Sequence, residues 1–102
     1  MTIGIYKIEN LINNKVYIGQ SLNIEDRWKH HKINAYCINQ GYDYPLYRAI
    51  RKYGIENFSF EIIEECSFLD LNEKEQYWIK YYNSYNEGYN STIGGDGIIN
   101  DT

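Results

Sequence analysis

Apolar and polar positions alternate twice near the N-terminus, over residues 3–9 and again over 16–20, and a period of two reads as two β-strands. The link from Asn10 to Lys15 contains the pair Asn13-Asn14, which tolerates the left-handed backbone of tight connections, so an antiparallel hairpin is expected. Within it Gly4 and Tyr6 share one face, as do Tyr17 and Gly19, while Ile5, Val16 and Ile18 point the other way. Each tyrosine therefore has open strand beside it. A ligand or a packing helix can fill that space.

Beyond the hairpin the period lengthens. Ser21 or Asn23 can cap a helix whose first turn holds Glu25 and Asp26, where carboxylates complement the helix dipole, and this helix should run to about Tyr36. Pro45 suits the opening turn of a second helix. Its apolar stripe is Leu46, Ala49, Ile50 and Tyr53, and Gly54 stops it. Phe58 to Glu64 alternates again as a third strand, and Asp70 with Glu73 resembles a capping box opening a third helix that ends between Tyr82 and Tyr85. From Gly88 the chain is rich in Gly, Asn and Ser and reads as irregular. The expected class is α/β (α+β), with one domain over residues 1–92 and an irregular tail or start of a linker over 93–102.

A chain of 102 residues, 43% hydrophobic and 24% charged, suits one modest core in a soluble globular protein. No apolar run approaches the roughly 20 residues needed to span a bilayer, and no secretory signal is visible, so an intracellular protein with no membrane partner is expected. The two cysteines, Cys37 and Cys66, stand far apart, with the adjacent pair His30-His31 before them; this spacing fits reduced thiols better than a zinc site. Net charge is −4 but uneven. Residues 1–53 carry eight Lys/Arg against four acids, whereas residues 54–102 carry two against ten. The basic half contains both tyrosine strands, although solvated surface charge alone would explain such a split.

Three polar residues sit awkwardly for a simple core. Glu75 falls inside the stripe Leu71, Trp78, Ile79 and Tyr82, where an unpaired carboxylate is costly; it either lies at the stripe's edge or faces a cleft and holds a cation. Arg27 and His31, four residues apart, project together beside the Ile24 and Trp28 side of the first helix. Such a pair is either surface decoration or a phosphate site, since Arg offers a planar fork of donors and His can donate a hydrogen bond or move a proton. Two phenols, an Arg/His pair and one carboxylate form a coherent set for phosphodiester hydrolysis with a single Mg²⁺. A phenol serves as general base there only if nearby cations favour phenolate or a relay removes its proton.

These residues, in this order, resemble the GIY-YIG nuclease family, whose name is written here as Gly4-Ile5-Tyr6 and Tyr17-Ile18-Gly19. The similarity extends to Arg27 and His31, to Glu75, to Asn90 in Gly88-Tyr89-Asn90, and to the stretch from Leu46 to Gly54 with Phe58. It is greatest to the N-terminal catalytic domains of phage and bacterial intron-encoded homing endonucleases. The resemblance implies a three-stranded antiparallel sheet flanked by helices and Mg²⁺-dependent DNA cleavage, with Mn²⁺ able to substitute. It also implies DNA as partner and the cytoplasm of a bacterial or phage-infected cell as location. It assigns Tyr6 as first choice for general base with Tyr17 orienting water or phosphate, roles that can be exchanged. Arg27 is assigned to the scissile phosphate, His31 to proton movement or phosphate binding, Glu75 to the metal, and Asn90 to positioning the metal surroundings or backbone.

In one respect the sequence departs from that pattern. Some intron-encoded members carry another histidine before the middle helix, whereas residues 39–44 hold none, leaving Tyr42 or Tyr44 as substitutes. Homing members also carry a separate C-terminal DNA-recognition region. The chain ending at Thr102 reads as a catalytic fragment or as a freestanding nuclease of low sequence preference, and its acidic second half implies weak intrinsic DNA affinity. A repair-type nuclease and a non-catalytic binding module on the same scaffold are the competing expectations.

Overall fold

The computed structural model describes residues 1–36, 44–92 and 94. Three strands, β1 (Gly4–Asn10), β2 (Val16–Ser21) and β3 (Phe58–Glu65), form one antiparallel sheet in the order β2-β1-β3. Around it lie α1 (Ile24–Asn34), α2 (Pro45–Tyr53), α3 (Leu71–Tyr82) and the short α4 (Ser84–Glu87). The expected architecture, a small antiparallel sheet flanked by helices, is the one observed.

Local chemistry accounts for the element boundaries. The hairpin turns where Asn14 adopts a positive φ of 64°, with Asn13 Oδ1 accepting from the Lys15 amide at 3.0 Å. Of the two candidate caps for α1, Asn23 fills the role, its Oδ1 accepting from the Asp26 amide at 3.2 Å, while Ser21 Oγ accepts from the Asn23 amide. Pro45 opens α2 and Gly54 closes it at φ 90°. The capping box expected at Asp70 does not form. Its backbone already belongs to a single 3-10 turn, Phe68–Asp70, and Ser67 caps that turn through its Oγ and the Leu69 amide at 3.1 Å. Asn83, at φ 52°, ends α3 at Tyr82, within the range expected for that end, and separates it from α4.

Both faces of the sheet are covered, which divides the core in two. On one face Tyr6 and Ile8 pack with Ile24 of α1 and with Leu46, Tyr47, Ala49 and Ile50 of α2. Tyr47 belongs to that buried stripe, and Tyr53, expected there, is only partly buried. On the other face Ile5 and Ile18 pack against Leu71 and Ile79 of α3. Side chains of this size stabilise by roughly 1.5–3 kcal/mol each when fully buried. After α4 the chain returns along β2, where the Tyr89 amide donates to the Val16 carbonyl at 2.9 Å.

Neither space beside the tyrosines remains open. Tyr6 lies opposite Gly19 in the hairpin register, and its ring tip occupies the position that a Cβ at residue 19 would take. The backbone of Glu64 in β3 fills the space beside Gly4, next to a register irregularity between Ile5 and Tyr6. Gly19 is therefore required for close approach. Of the expected tail only residue 94 is described, and Cys37 and Tyr42 also lie outside the described residues; Cys66 is a partly buried free thiol. Among the described residues no helix is long and apolar enough to cross a membrane.

Gly19→Ala should destabilise the fold by about 1–3 kcal/mol through overpacking against Tyr6. A lowered urea midpoint at unchanged denaturant slope is the expected reading.

Candidate active site

A cleft of about 240 Å³ opens along the β2 edge, between α1, the start of α2, α3 and the returning segment. Tyr17, Arg27, His31, Glu75 and Asn90 all line it. Residues spread over most of the chain thus meet in one place. Tyr6 is the exception. It is 1% exposed and does not line the cleft, lying beneath it in the core.

Tyr6 instead anchors a buried polar chain. Its hydroxyl is 2.7 Å from His31 Nε2, and His31 Nδ1 is 2.8 Å from the Tyr47 hydroxyl. His31, expected to project beside the buried side of α1, is itself only 2% exposed. Burial first, then the charge of Arg27 and the nearby His30, push its pKa down to about 3. The neutral ring donates from one nitrogen and accepts at the other, so each phenol has one defined role. Tyr17 hydrogen-bonds to Tyr6, and its pKa is pushed up to about 12, mainly by burial; Arg27 works in the opposite direction, and Glu75 and Tyr47 add to the rise.

Glu75 enters the cleft from α3, between the buried Leu71 and Ile79 on the same stripe. Gln20 holds it there. The Gln20 Nε2 donates to Glu75 Oε1 at 3.0 Å and to Asn72 Oδ1 at 2.8 Å. Two accepting partners fix the orientation of that amide, which is 4% exposed, and its Oε1 is buried with no hydrogen-bond partner among the described residues. Among the described residues no three His, Cys, Asp or Glu side chains cluster to cage a metal. Gln20 does not line the cleft and turns its Nε2 toward Glu75, so the donor that the cleft offers is the hard carboxylate oxygen of Glu75. It fits Mg²⁺, which takes few protein ligands and completes its shell with water and phosphate oxygens.

Asn90 acts on backbone. Its Oδ1 accepts from the Ile18 amide and its Nδ2 donates to the Ile18 carbonyl, both at 2.8 Å, so one side chain satisfies both groups that the edge strand leaves unpaired at that residue. Ile18 lies between Tyr17 and Gly19, so the clamp fixes the strand that carries the cleft tyrosine. Sequence reasoning missed Gln20, Asn72 and Tyr47. A polar residue on the strand face of Val16 and Ile18 was the signal for Gln20, and a tyrosine beside Leu46, three residues before Ile50, was the signal for Tyr47. Tyr44 lines the mouth of the cleft, 55% exposed, with its ring edge-on to Tyr47 at 5.5 Å.

A three-stranded sheet whose edge carries this cleft defines a small nuclease-type catalytic domain, and comparison with known proteins agrees. The model of the GIY-YIG catalytic domain matches residues 2–90, and the chain belongs to the GIY-YIG family of nuclease domains. It is 38% identical over 94 residues to intron-associated endonuclease 1 of Enterobacteria phage T4, covering 88% of this chain and 37% of that protein. To the putative endonuclease segB of the same phage it is 35% identical over 96 residues, covering 90% of this chain and 38% of that protein. The chain thus spans little more than a third of these relatives. Among solved structures, the catalytic domain of intron endonuclease I-TevI, in a mutant form, superposes with a TM-score of 0.82 at 35% identity, covering 92% of this chain and 97% of that one.

The buried histidine sets an acid limit on stability. Its folded pKa is near 3 and its ordinary value 6.5, so between these values the unfolded chain binds more protons. Stability should be full above pH 6.5 and fall as pH drops toward 3, by at most about 1.4 kcal/mol per unit from this group. Urea unfolding between pH 7 and 5 reads it apart from Glu25 and Glu64, which, held below the usual carboxylate range mainly by hydrogen bonds from Thr2 and Trp78, act only at lower pH. At the alkaline end Tyr17 should have the opposite sign, with stability lost as pH rises from 10 through 12.

Proposed function

We propose that the chain is the catalytic module of a homing-type endonuclease that hydrolyses DNA phosphodiester bonds with one Mg²⁺, for which Mn²⁺ can substitute. The convergence of Arg27, Tyr17 and a buried, oriented Glu75 on one cleft carries this reading. Arg27 receives the scissile phosphate through its planar fork of donors and stabilises the charge that grows on the phosphate oxygens in the transition state. Tyr17 opens on the cleft whereas Tyr6 is sealed beneath it, so the two roles exchange. Tyr17 takes the proton of the attacking water, and Tyr6 supports it through their hydrogen bond. Glu75 would hold Mg²⁺, which would supply positive charge next to the phosphate. Gln20 fixes the carboxylate that would hold it, and Asn90 holds the strand bearing Tyr17.

Charge distribution supports an approach of DNA from the α1 and α2 side. Lys29, Lys32, Arg48 and Lys52 are exposed on the two helices that flank the cleft. A polyanion is attracted to that side, although so few cations give only salt-sensitive, weak binding. Target choice would then rest on a recognition region beyond the catalytic module.

Plasmid nicking with Mg²⁺ tests the assignment. Arg27→Ala and Glu75→Ala should each lower the cleavage rate by about 100-fold or more, and wild-type rates in both would overturn it. Lys32→Ala with Lys52→Ala should leave cleavage chemistry intact and reduce the slope of log affinity against log salt by about one per cation removed.

A further inference from the structure

A phenol that takes a proton from water has to release its own. In this fold neither neighbour readily holds the resulting charge, since burial opposes both a Tyr17 phenolate and a His31 imidazolium. The hydrogen-bond geometry offers another course. Tyr17 is bonded to Tyr6, Tyr6 meets His31 Nε2 at 2.7 Å, and His31 Nδ1 meets Tyr47 at 2.8 Å. Tyr17 and Tyr47, the two ends of this chain, line the same cleft, while Tyr6 is wholly sealed in the core.

We propose that Tyr47 is the outlet of a four-member proton relay, running from Tyr17 through Tyr6 and His31 back to the cleft. The inference rests on the nuclease reading and adds to it the fate of the proton. The attacking water's O–H bond breaks as that proton binds the Tyr17 oxygen. Tyr17's own proton passes to the Tyr6 oxygen, Tyr6's to His31 Nε2, and the proton on His31 Nδ1 to the Tyr47 oxygen. Tyr47's own proton leaves to a solvent water in the cleft. Each of the four groups gains one proton and loses one, so none is left charged, and the attacking oxygen uses the freed electron pair to bond to phosphorus. Return of a proton along the same path restores the starting tautomer.

Position explains why a tyrosine is needed at residue 47. The buried His31 presents its Nδ1 to the Tyr47 hydroxyl, and a phenylalanine would fill the same core volume without continuing the chain. Tyr47 follows Pro45 in the first turn of α2, which holds the hydroxyl on a rigid element. The exposed Tyr44, edge-on to it, marks the side from which solvent reaches the outlet.

Tyr47→Phe separates a relay from a packing role. The relay requires kcat for plasmid cleavage to fall about 10- to 100-fold while KM for DNA and the half-saturating Mg²⁺ concentration stay within twofold. A packing role alone would lower the thermal midpoint and leave kcat within twofold of wild type, which would overturn the proposal. The ¹⁵N shifts of the His31 ring give a second readout that needs no cleavage. Wild type should be protonated at Nδ1, and the variant should move the proton to Nε2, where only the Tyr6 oxygen remains to accept it. A wild-type ring protonated at Nε2, or a tautomer unchanged by the substitution, would overturn the relay. Failure of wild type to cut DNA at all would instead overturn the nuclease reading, and the nitrogen shifts would still decide the hydrogen-bond order.

Discussion

The contact between the Tyr6 hydroxyl and His31 Nε2 is the constraint on which the rest of the structure turns. It joins the central strand to α1 through two polar groups that water does not reach, and an unmatched polar atom there would cost about 1–3 kcal/mol. Satisfying it fixes much else. The Tyr6 ring must lie flat across β2, so residue 19 has to be glycine, and the second nitrogen of His31 needs a partner, which Tyr47 supplies from α2. Hairpin, first helix and middle helix are locked by one chain of hydrogen bonds, and the same chain forms the floor of the cleft.

Above that floor the site divides its labour by accessibility. Groups that would meet substrate, Tyr17, Arg27 and Glu75, face the cleft, and those that orient them, Tyr6, Gln20 and Asn90, are held by partners in the core or along the backbone. Rigid support of this kind lets a small domain keep reacting groups in place. Accessibility favours Tyr17 as the phenol that would meet water, one of the two arrangements the sequence left open, because order along the chain does not say which phenol is covered. Burial decides it, and burial depends on how α1 and α2 close over the sheet.

Much of the fold was legible because local signals and tertiary packing agree. The Asn13-Asn14 turn, Asn23 cap, Pro45 start and Gly54 stop each mark a real boundary. Asp70 misled because its backbone was already committed to a 3-10 turn that Ser67 caps, a competition between two local motifs that spacing alone cannot resolve. Within the site, Glu75 showed itself as a polar intruder in an apolar stripe, and Arg27 and His31 as a polar pair beside the buried side of α1. Tyr47 and Gln20 did not. In a chain with 12 tyrosines one more attracts no notice, and an uncharged amide at the end of a strand looks like surface until α3 is packed over it.

The clamp of Asn90 on Ile18 joins residues 72 positions apart, and Tyr89 meets Val16 in the same way. Everything else that builds the cleft lies earlier in the chain, so the returning segment is its last wall to be made. A growing polypeptide can pair its strands and pack α3 on one face before this wall exists, yet it lacks Tyr89 in the opposite core and has no closed site along β2. The order of synthesis therefore leaves the β2 edge unclamped at Ile18, and the cleft open on that side, until residues 89 and 90 have been made.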